Sequence, residues 1–169
     1  MTRLLFALLL LTACTEQPAP APLPSPTPTT ALEAAAIEAG LVVDPASTDI
    51  TGLYARDTDR VCIVPGATAY RIGVYVDYDD NQSCAGSGVA TRAGEALELD
   101  FPSAPGCTFT ARYEGDRIAF PGKLPEPCAK LCHRRASLAA LNVDRLSESP
   151  AEASTLRDAK GRLLCSLGG

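Results

Sequence analysis

The chain has 169 residues, of which 46% are hydrophobic, and its 15 Lys and Arg against 20 Asp and Glu give a net charge of −5. It contains no Trp, four Phe and five Tyr, so the core is modest and built mainly from Ala, Leu and Val. This length suits one small domain. The acidic balance argues against binding to nucleic acid, which requires a basic surface.

The N-terminus has the layout of an export signal. Arg3 supplies a positive charge, residues 4–11 form an apolar run, and the small residue Ala13 closes that run. This layout is typical of a secretory signal peptide, and the run is too short to span a membrane as a helix. We therefore predict that residues 1–13 are a signal peptide.

The signal ends in Leu11-Thr12-Ala13-Cys14, which resembles the lipobox of bacterial lipoproteins. The resemblance implies that the chain is cut before Cys14, that the Cys14 thiol carries a diacylglycerol and that the new amine is acylated. Together these acyl chains would hold the protein firmly in a bilayer. Thr15, in place of Asp, further implies sorting to the outer membrane, facing the periplasm. The membrane is thus one expected partner, reached through the lipid anchor.

The lipidated cysteine is followed by a proline-rich linker, and together they occupy residues 14–30. Prolines recur through residues 15–30 and favour an extended polyproline II conformation. At about 3.1 Å per residue, this linker spans roughly 50 Å. Thr30 and Glu33 then match a capping box, and Gly40 matches a helix stop. Residues 31–44 are therefore predicted to form a short helix and a connector.

From about residue 50 onwards, the apolar residues alternate with polar ones. In residues 96–101, for example, Leu97, Leu99 and Phe101 share one face. The same period predicts about seven strands, at 51–55, 60–64, 71–78, 84–91, 96–101, 107–113 and 118–120, with a tight hairpin at Glu114-Gly115-Asp116. Because only one face of each strand is apolar, we expect an antiparallel sheet, which can close into a small barrel.

The last part of the domain carries helical signals. Pro127 suits a first turn, and five apolar residues after it lie mostly at helical spacing: Cys128, Leu131, Cys132, Leu138 and Leu141. Ser149 and Pro150 mark a second helix that should run to about Lys160 and end at Gly161. Residues 45–169 are therefore predicted to be a single disulfide-rich α+β domain. It would be a small antiparallel β-sheet or β-barrel of about seven strands with C-terminal helices.

Once Cys14 is assigned to lipid, an even number of cysteines remains: Cys62, Cys84, Cys107, Cys128, Cys132 and Cys165. In an exported domain, this predicts three disulfides. Proximity along the chain favours pairing Cys62 with Cys84, Cys107 with Cys128, and Cys132 with Cys165.

Cys128, Cys132 and His133 form a CxxxCH pattern, which is one residue longer than the usual haem attachment motif. A second axial ligand is lacking, because His133 is the only His and the only Met leaves with the signal. Zinc is also disfavoured, since thiols in an oxidising compartment pair with each other. We predict disulfides here and no cofactor.

Two polar clusters are candidate binding sites. Asp77, Asp79 and Asn81 begin a segment like a calcium loop, although the later Gly and Glu of an EF-hand are absent. The alternative is a solvated turn between two strands. A basic cluster, formed by Lys130, His133, Arg134 and Arg135, is either a solvated face or a patch for anionic lipid, polysaccharide or an acidic partner.

Ser87-Gly88 resembles the Ser-Gly loop that some small lysozyme-inhibiting lipoprotein barrels insert into lysozyme. This resemblance implies an inhibitor-like role. No spacing of carboxylates or of a serine triad marks a catalytic centre. We therefore predict a lipid-anchored envelope lipoprotein, not an enzyme, with a binding or structural role towards an envelope protein or polysaccharide. The alternative is an envelope enzyme, or a calcium-dependent module that uses the loop 77–81.

Overall fold

The computed structural model of the chain describes residues 31–41, 49–79 and 81–166. The predicted signal peptide, Cys14 and the proline-rich linker lie outside these residues. The predicted short helix is present as α1 (Ala31–Glu38). It ends at Gly40, whose φ of 69° reverses the chain as a glycine readily does.

The domain is an antiparallel barrel. Within residues 49–79 and 81–166, each strand pairs with the next along the chain, and the last pairs with the first and closes the barrel. This confirms the expected antiparallel fold and its closure, but with eight strands where about seven were predicted. They are β1 (Gly52–Arg56), β2 (Asp59–Val64), β3 (Tyr70–Asp77), β4 (Ser83–Ala93), β5 (Ala96–Asp100), β6 (Thr108–Tyr113), β7 (Arg117–Ala119) and β8 (Asn142–Ser147).

The barrel interior is filled by apolar side chains. An eight-stranded barrel is just wide enough for its own side chains to fill. On β4 the inward residues are small, namely Cys84, Gly86, Gly88 and Ala90. These small residues leave room for larger side chains on the neighbouring strands. A Cβ on Gly88, for example, would come within 3.0 Å of the Phe101 ring. The Phe101 ring in turn stacks with Phe109, whose ring meets Phe120 edge-on.

The eighth strand lies in a segment for which no strand was predicted. The helix expected from Pro127 onwards is only a 3₁₀-helix, Glu126–Leu131, and the chain then runs irregularly to β8. The buried leucines Leu138 and Leu141 belong to that irregular stretch, so their helical spacing was misleading. β8 forms because β1 and β7 both have an open edge that it can pair with.

The second C-terminal helix is also much shorter than predicted. Ser149 caps it as expected by accepting a hydrogen bond from the Glu152 N–H, but α2 covers only Pro150–Ala153. Immediately afterwards, the hydroxyls of Ser154 and Thr155 donate to backbone carbonyls, at 2.7 Å each. Such side-chain bonds compete with a continuing helix.

The three expected disulfides form, but with a different pairing. Cys107–Cys128 is as predicted, whereas Cys62 pairs with Cys165 and Cys84 pairs with Cys132. The predicted pairs Cys62–Cys84 and Cys132–Cys165 are therefore wrong. Proximity along the chain failed as a guide, because barrel closure brings distant segments together.

The Cys62–Cys165 disulfide fastens residues 154–166, which we call the C-terminal strap, to the outer face of the barrel. Cys62, Gly73 and Ser87 lie side by side on β2, β3 and β4 beneath it. Gly73 leaves space for the strap, since a Cβ there would lie 2.6 Å from the Leu164 Cβ. The Ser87 hydroxyl donates to the Leu164 carbonyl at 2.9 Å. The strap thereby covers a second, smaller apolar cluster outside the barrel.

Candidate functional site

One end of the barrel is covered by the long connection between β7 and β8, residues 120–141, which we call the cap. We call this end the cap end. Two disulfides fix the cap to the barrel, from Cys128 to Cys107 and from Cys132 to Cys84 at the start of β4. The cap's own leucines, Leu131, Leu138 and Leu141, are buried in the core of the barrel. The cap is therefore an irregular segment held at several points.

The basic cluster predicted from the sequence lies on this cap. Lys130, His133, Arg134 and Arg135 are all exposed. The backbone beneath them is fixed, because the His133 N–H donates to the Ser83 carbonyl at 2.7 Å. Arg134 has a φ of 57°, a left-handed conformation that non-glycine residues adopt at some energetic cost.

The predicted calcium loop is the β3–β4 turn, and it lies at the same end. The carboxylate of Asp77 accepts bonds from the Tyr75 hydroxyl at 3.0 Å and from the Asp79 N–H at 3.1 Å. Asp79 and Asn81 adopt positive φ values of 62° and 63°, as tight turns require. The alternative of a solvated turn therefore accounts for the hydrogen bonds of the Asp77 carboxylate. Calcium binding stays a prediction.

The structure brings these two predicted sites together. The Tyr78 hydroxyl on the turn donates to the Ser137 carbonyl of the cap at 3.3 Å. Gln82, at the end of the turn, lines an open cleft of about 540 Å³ with Arg134 and Arg135. Gln82, Arg134 and Arg135 therefore line one open cleft at the cap end.

Within the described residues, the cap cations form no ion pair with a neighbouring carboxylate. Among the residues that the structure describes, the ion pairs involve other arginines, and none includes Lys130, Arg134 or Arg135. A solvated cationic surface without internal partners can attract and orient an acidic partner.

The opposite end of the barrel is closed by a polar cluster that sequence reasoning did not find. Arg145, on β8, points into the barrel between two fully buried tyrosines, Tyr54 and Tyr113. Its guanidinium donates to the Tyr113 hydroxyl and to the carbonyl of Asp49. The one local signal for this position is Val143, two residues earlier, which marks the inward face of the same strand. We call this end the Arg145 end.

Burial is the main influence on the Tyr54 hydroxyl at the Arg145 end. The Arg145 side chain is only 9% exposed, and its Nε is buried without a partner among the described residues. Burial raises the pKa of the Tyr54 hydroxyl well above its usual range, more than the adjacent guanidinium lowers it. That hydroxyl donates to the Ile50 carbonyl at 2.8 Å. The cluster therefore closes the barrel and holds the backbone at residues 49–50, where the chain joins it.

Ser87-Gly88 does not lie in a loop. Both residues are within β4, where Ser87 binds the strap and Gly88 faces inward. A Cβ on Gly88 would come within 2.2 Å of the Asp100 carbonyl oxygen. Packing of the barrel thus accounts for this pair of residues.

No family model, curated protein or solved structure matches the chain. Residues 31–41, 49–79 and 81–166 contain no cluster of three or more His, Cys, Asp or Glu side chains placed to hold a metal ion. In the same described segments, none of the helices has the length and apolar character needed to cross a membrane.

Proposed function

We propose that the protein is a lipid-anchored lipoprotein of the cell envelope, held in the outer membrane facing the periplasm, whose barrel is a non-catalytic binding domain. The observation that carries this proposal is the cap. It is a disulfide-fixed surface that presents Lys130, His133, Arg134 and Arg135 to solvent. The expected partner is an acidic envelope protein or polysaccharide.

The filled interior supports binding at the surface. Fully buried side chains such as Ile72, Leu97 and Phe101 occupy the space inside the barrel. Barrels that carry a small ligand need room inside for it. Lysozyme inhibition through Ser87-Gly88 is not part of the proposal, because these residues serve strap and barrel packing.

The direction in which the chain enters the barrel also supports a role for the cap. Asp49 and Ile50 join the barrel at the Arg145 end, held by Arg145 and Tyr54. The proposed anchor at Cys14 therefore leads to one end, and the cap lies at the other. A lipidated protein of this form would present its cap away from the membrane that holds it.

The anchor is tested by Cys14→Ser in the full chain, expressed in a bacterium that lipidates exported proteins. We expect the unaltered protein in the membrane fraction with a mass increase from the acyl chains, and the variant without that mass increase. Thr15→Ser, which keeps the cysteine, should behave like the unaltered protein. An unaltered protein without the mass of the acyl chains, or a Cys14→Ser variant that still carries it, would contradict the anchor.

Binding by the cap is tested by co-sedimentation of the unlipidated Cys14→Ser protein with isolated envelope fragments. The cap variant replaces four residues by Gln: Lys130, His133, Arg134 and Arg135. It should lower the bound fraction at least about tenfold, because electrostatic steering of the partner and direct contact with it both depend on these cations. The control replaces exposed Arg56, Arg112 and Arg157 on other faces by Gln and should bind nearly as well. Equal loss in both variants would show that only net charge matters.

A further inference from the structure

The three disulfides differ in how far their cysteines are exposed. Five of the six cysteines are at most 3% exposed, whereas Cys132 is only half-buried. Cys132 also lines an open cleft of about 320 Å³ on the cap, beside Ala129 and Ala136. Cys128 borders the same cleft but is 3% exposed. We propose that the Cys84–Cys132 disulfide is a redox switch of the cap, which a dithiol protein of the envelope reduces by attack on Cys132.

Basic residues flank Cys132 in the chain. His133 follows it directly, and Lys130 and Arg134 each lie two positions away, so their Cα atoms are within about 7 Å of the Cys132 Cα. Within the described residues, Lys130 and Arg134 belong to no ion pair. Cations next to a cysteine stabilise its thiolate, and at about 0.15 M salt this influence reaches about 8 Å. These charges therefore favour both the approach of an attacking thiolate and the release of the Cys132 thiolate.

The exchange has two steps, which transfer two electrons and two protons. A thiolate of the partner attacks the Cys132 Sγ, forms a mixed disulfide and expels the Cys84 thiolate, which takes up a proton. The neutral thiol suits the buried position of Cys84, because a free thiol behaves as a small apolar group. The partner's second thiolate then attacks the partner's own sulfur in the mixed disulfide and releases Cys132, which also takes up a proton. The partner is thereby oxidised to a disulfide, and Cys84 and Cys132 are reduced to thiols.

This disulfide ties residues 132–137 to β4, and the same segment carries His133, Arg134 and Arg135, three of the four basic residues of the cap. Two hydrogen bonds also hold the segment to the barrel. The His133 N–H donates to a β4 carbonyl at 2.7 Å, and the Ser137 carbonyl accepts from a hydroxyl of the β3–β4 turn at 3.3 Å. Single hydrogen bonds contribute little to stability. Reduction therefore loosens the backbone that positions most of the basic cluster.

The consequence for binding rests on the proposed role of the cap. A partner that meets cations on a loosened segment must order that segment as it binds, and this ordering lowers the affinity. We therefore expect the oxidised cap to bind envelope fragments more tightly than the reduced cap.

Selective reduction tests the exchange site. The full-length protein in neutral detergent is treated with dithiothreitol, a small dithiol, and samples are acidified, unfolded and alkylated at successive times. Peptide mass spectrometry then locates the free thiols. We expect Cys84 and Cys132 to appear as thiols at least about tenfold faster than the other four cysteines, because exchange requires access to a sulfur. Equal rates, or faster reduction of either other disulfide, would overturn the switch.

A pair of variants tests the contribution of the cap cations to the same reaction. Lys130→Gln/Arg134→Gln should slow reduction of Cys84–Cys132 at least about threefold, because the thiolates lose their neighbouring positive charge. The control Arg112→Gln/Arg157→Gln removes the same charge from exposed positions outside the cap. Its rate should stay close to that of the unaltered protein. Equal slowing in both variants would overturn the role of the cap cations in the exchange.

Hydrogen exchange measures the loosening without reference to any partner. After selective reduction, the backbone amides of residues 132–137 should exchange at least about tenfold faster, while those of the strap stay unchanged. Cys84→Ala/Cys132→Ala should show the same fast exchange in the cap and no further change with dithiothreitol. Unchanged exchange in the reduced cap would overturn the switch.

Co-sedimentation with envelope fragments, before and after selective reduction, separates the switch from the proposed function. Weaker binding by the reduced protein supports the switch. Equally tight binding in both states would overturn the switch and leave the proposed function in place. No binding by the oxidised protein would contradict the proposed function, while the rates of reduction and of hydrogen exchange still decide whether the disulfide is a switch.

Discussion

Removal of the Cys62–Cys165 disulfide, by Cys62→Ala/Cys165→Ala, is expected to lower the free energy of unfolding more than removal of either other disulfide. This bond joins residues 103 positions apart, whereas Cys107–Cys128 joins residues only 21 apart. Closing a longer loop restricts the unfolded chain more, and the chain-entropy relation gives losses of about 4.7 and about 3.4 kcal/mol. Urea unfolding of the two double variants measures the difference.

The number of free thiols in two double variants tests the pairing. Cys62→Ala/Cys165→Ala should leave no reactive thiol in the exported, unfolded barrel, because the remaining cysteines are bonded to each other. Cys62→Ala/Cys84→Ala should leave two reactive thiols, on Cys165 and Cys132, because each has lost its partner. These two thiols can meet only if the fold rearranges. Titration with a thiol reagent counts them. Two reactive thiols in Cys62→Ala/Cys165→Ala and none in Cys62→Ala/Cys84→Ala would mean that the cysteines pair as neighbours in the chain.

Local signals in the sequence were reliable for much of the barrel. The alternation at Leu97, Leu99 and Phe101 correctly gave an inward face, and Glu114-Gly115-Asp116 is the predicted hairpin, with a φ of 82° at Gly115. Ser149 caps a helix as expected. Each of these features depends on residues close together in the chain, so the sequence pattern contains the necessary information.

Features that depend on closure of the barrel were missed. In β8, only Val143 is a buried apolar residue, because Arg145 occupies the next inward position. The strand therefore lacks an apolar alternation and forms through pairing with β1 and β7. The disulfide pairing failed for the same reason, since Cys62 and Cys165 meet only after the strap crosses the outer face.

For the candidate site, the sequence identified the residues but not their arrangement. More than fifty positions in the chain separate the turn residues Asp77, Asp79 and Asn81 from the cap residues Arg134 and Arg135. The contacts from the cap to β4 place them at the same end, with Gln82 between them. Gln82 belongs to no motif that the sequence shows, and its place beside Arg134 and Arg135 is evident only from the fold.

Arg145→Ala is expected to lower the free energy of unfolding by about 3–4 kcal/mol. The substitution removes charged hydrogen bonds to the Tyr113 hydroxyl and to the Asp49 carbonyl, and it leaves the hydroxyl of the buried Tyr113 without this donor. A hydrogen bond to a charged group is worth about 1.5–3 kcal/mol, and an orphaned buried acceptor adds a further cost. The cavity between Tyr54 and Tyr113 increases the loss.

Two control substitutions separate the role of the guanidinium from that of the strand. Leu146→Ala changes an adjacent residue that is 62% exposed, and we expect an effect within about 0.5 kcal/mol. Arg145→Lys keeps the charge but cannot reach several acceptors at once, so it should recover less than half of the loss. Full recovery by Lys, or a loss below about 1 kcal/mol for Ala, would mean that the cluster does not hold this end closed. Because Arg145 also holds the backbone of Asp49, its loss should loosen the point where the chain joins the barrel while leaving the distant cap folded.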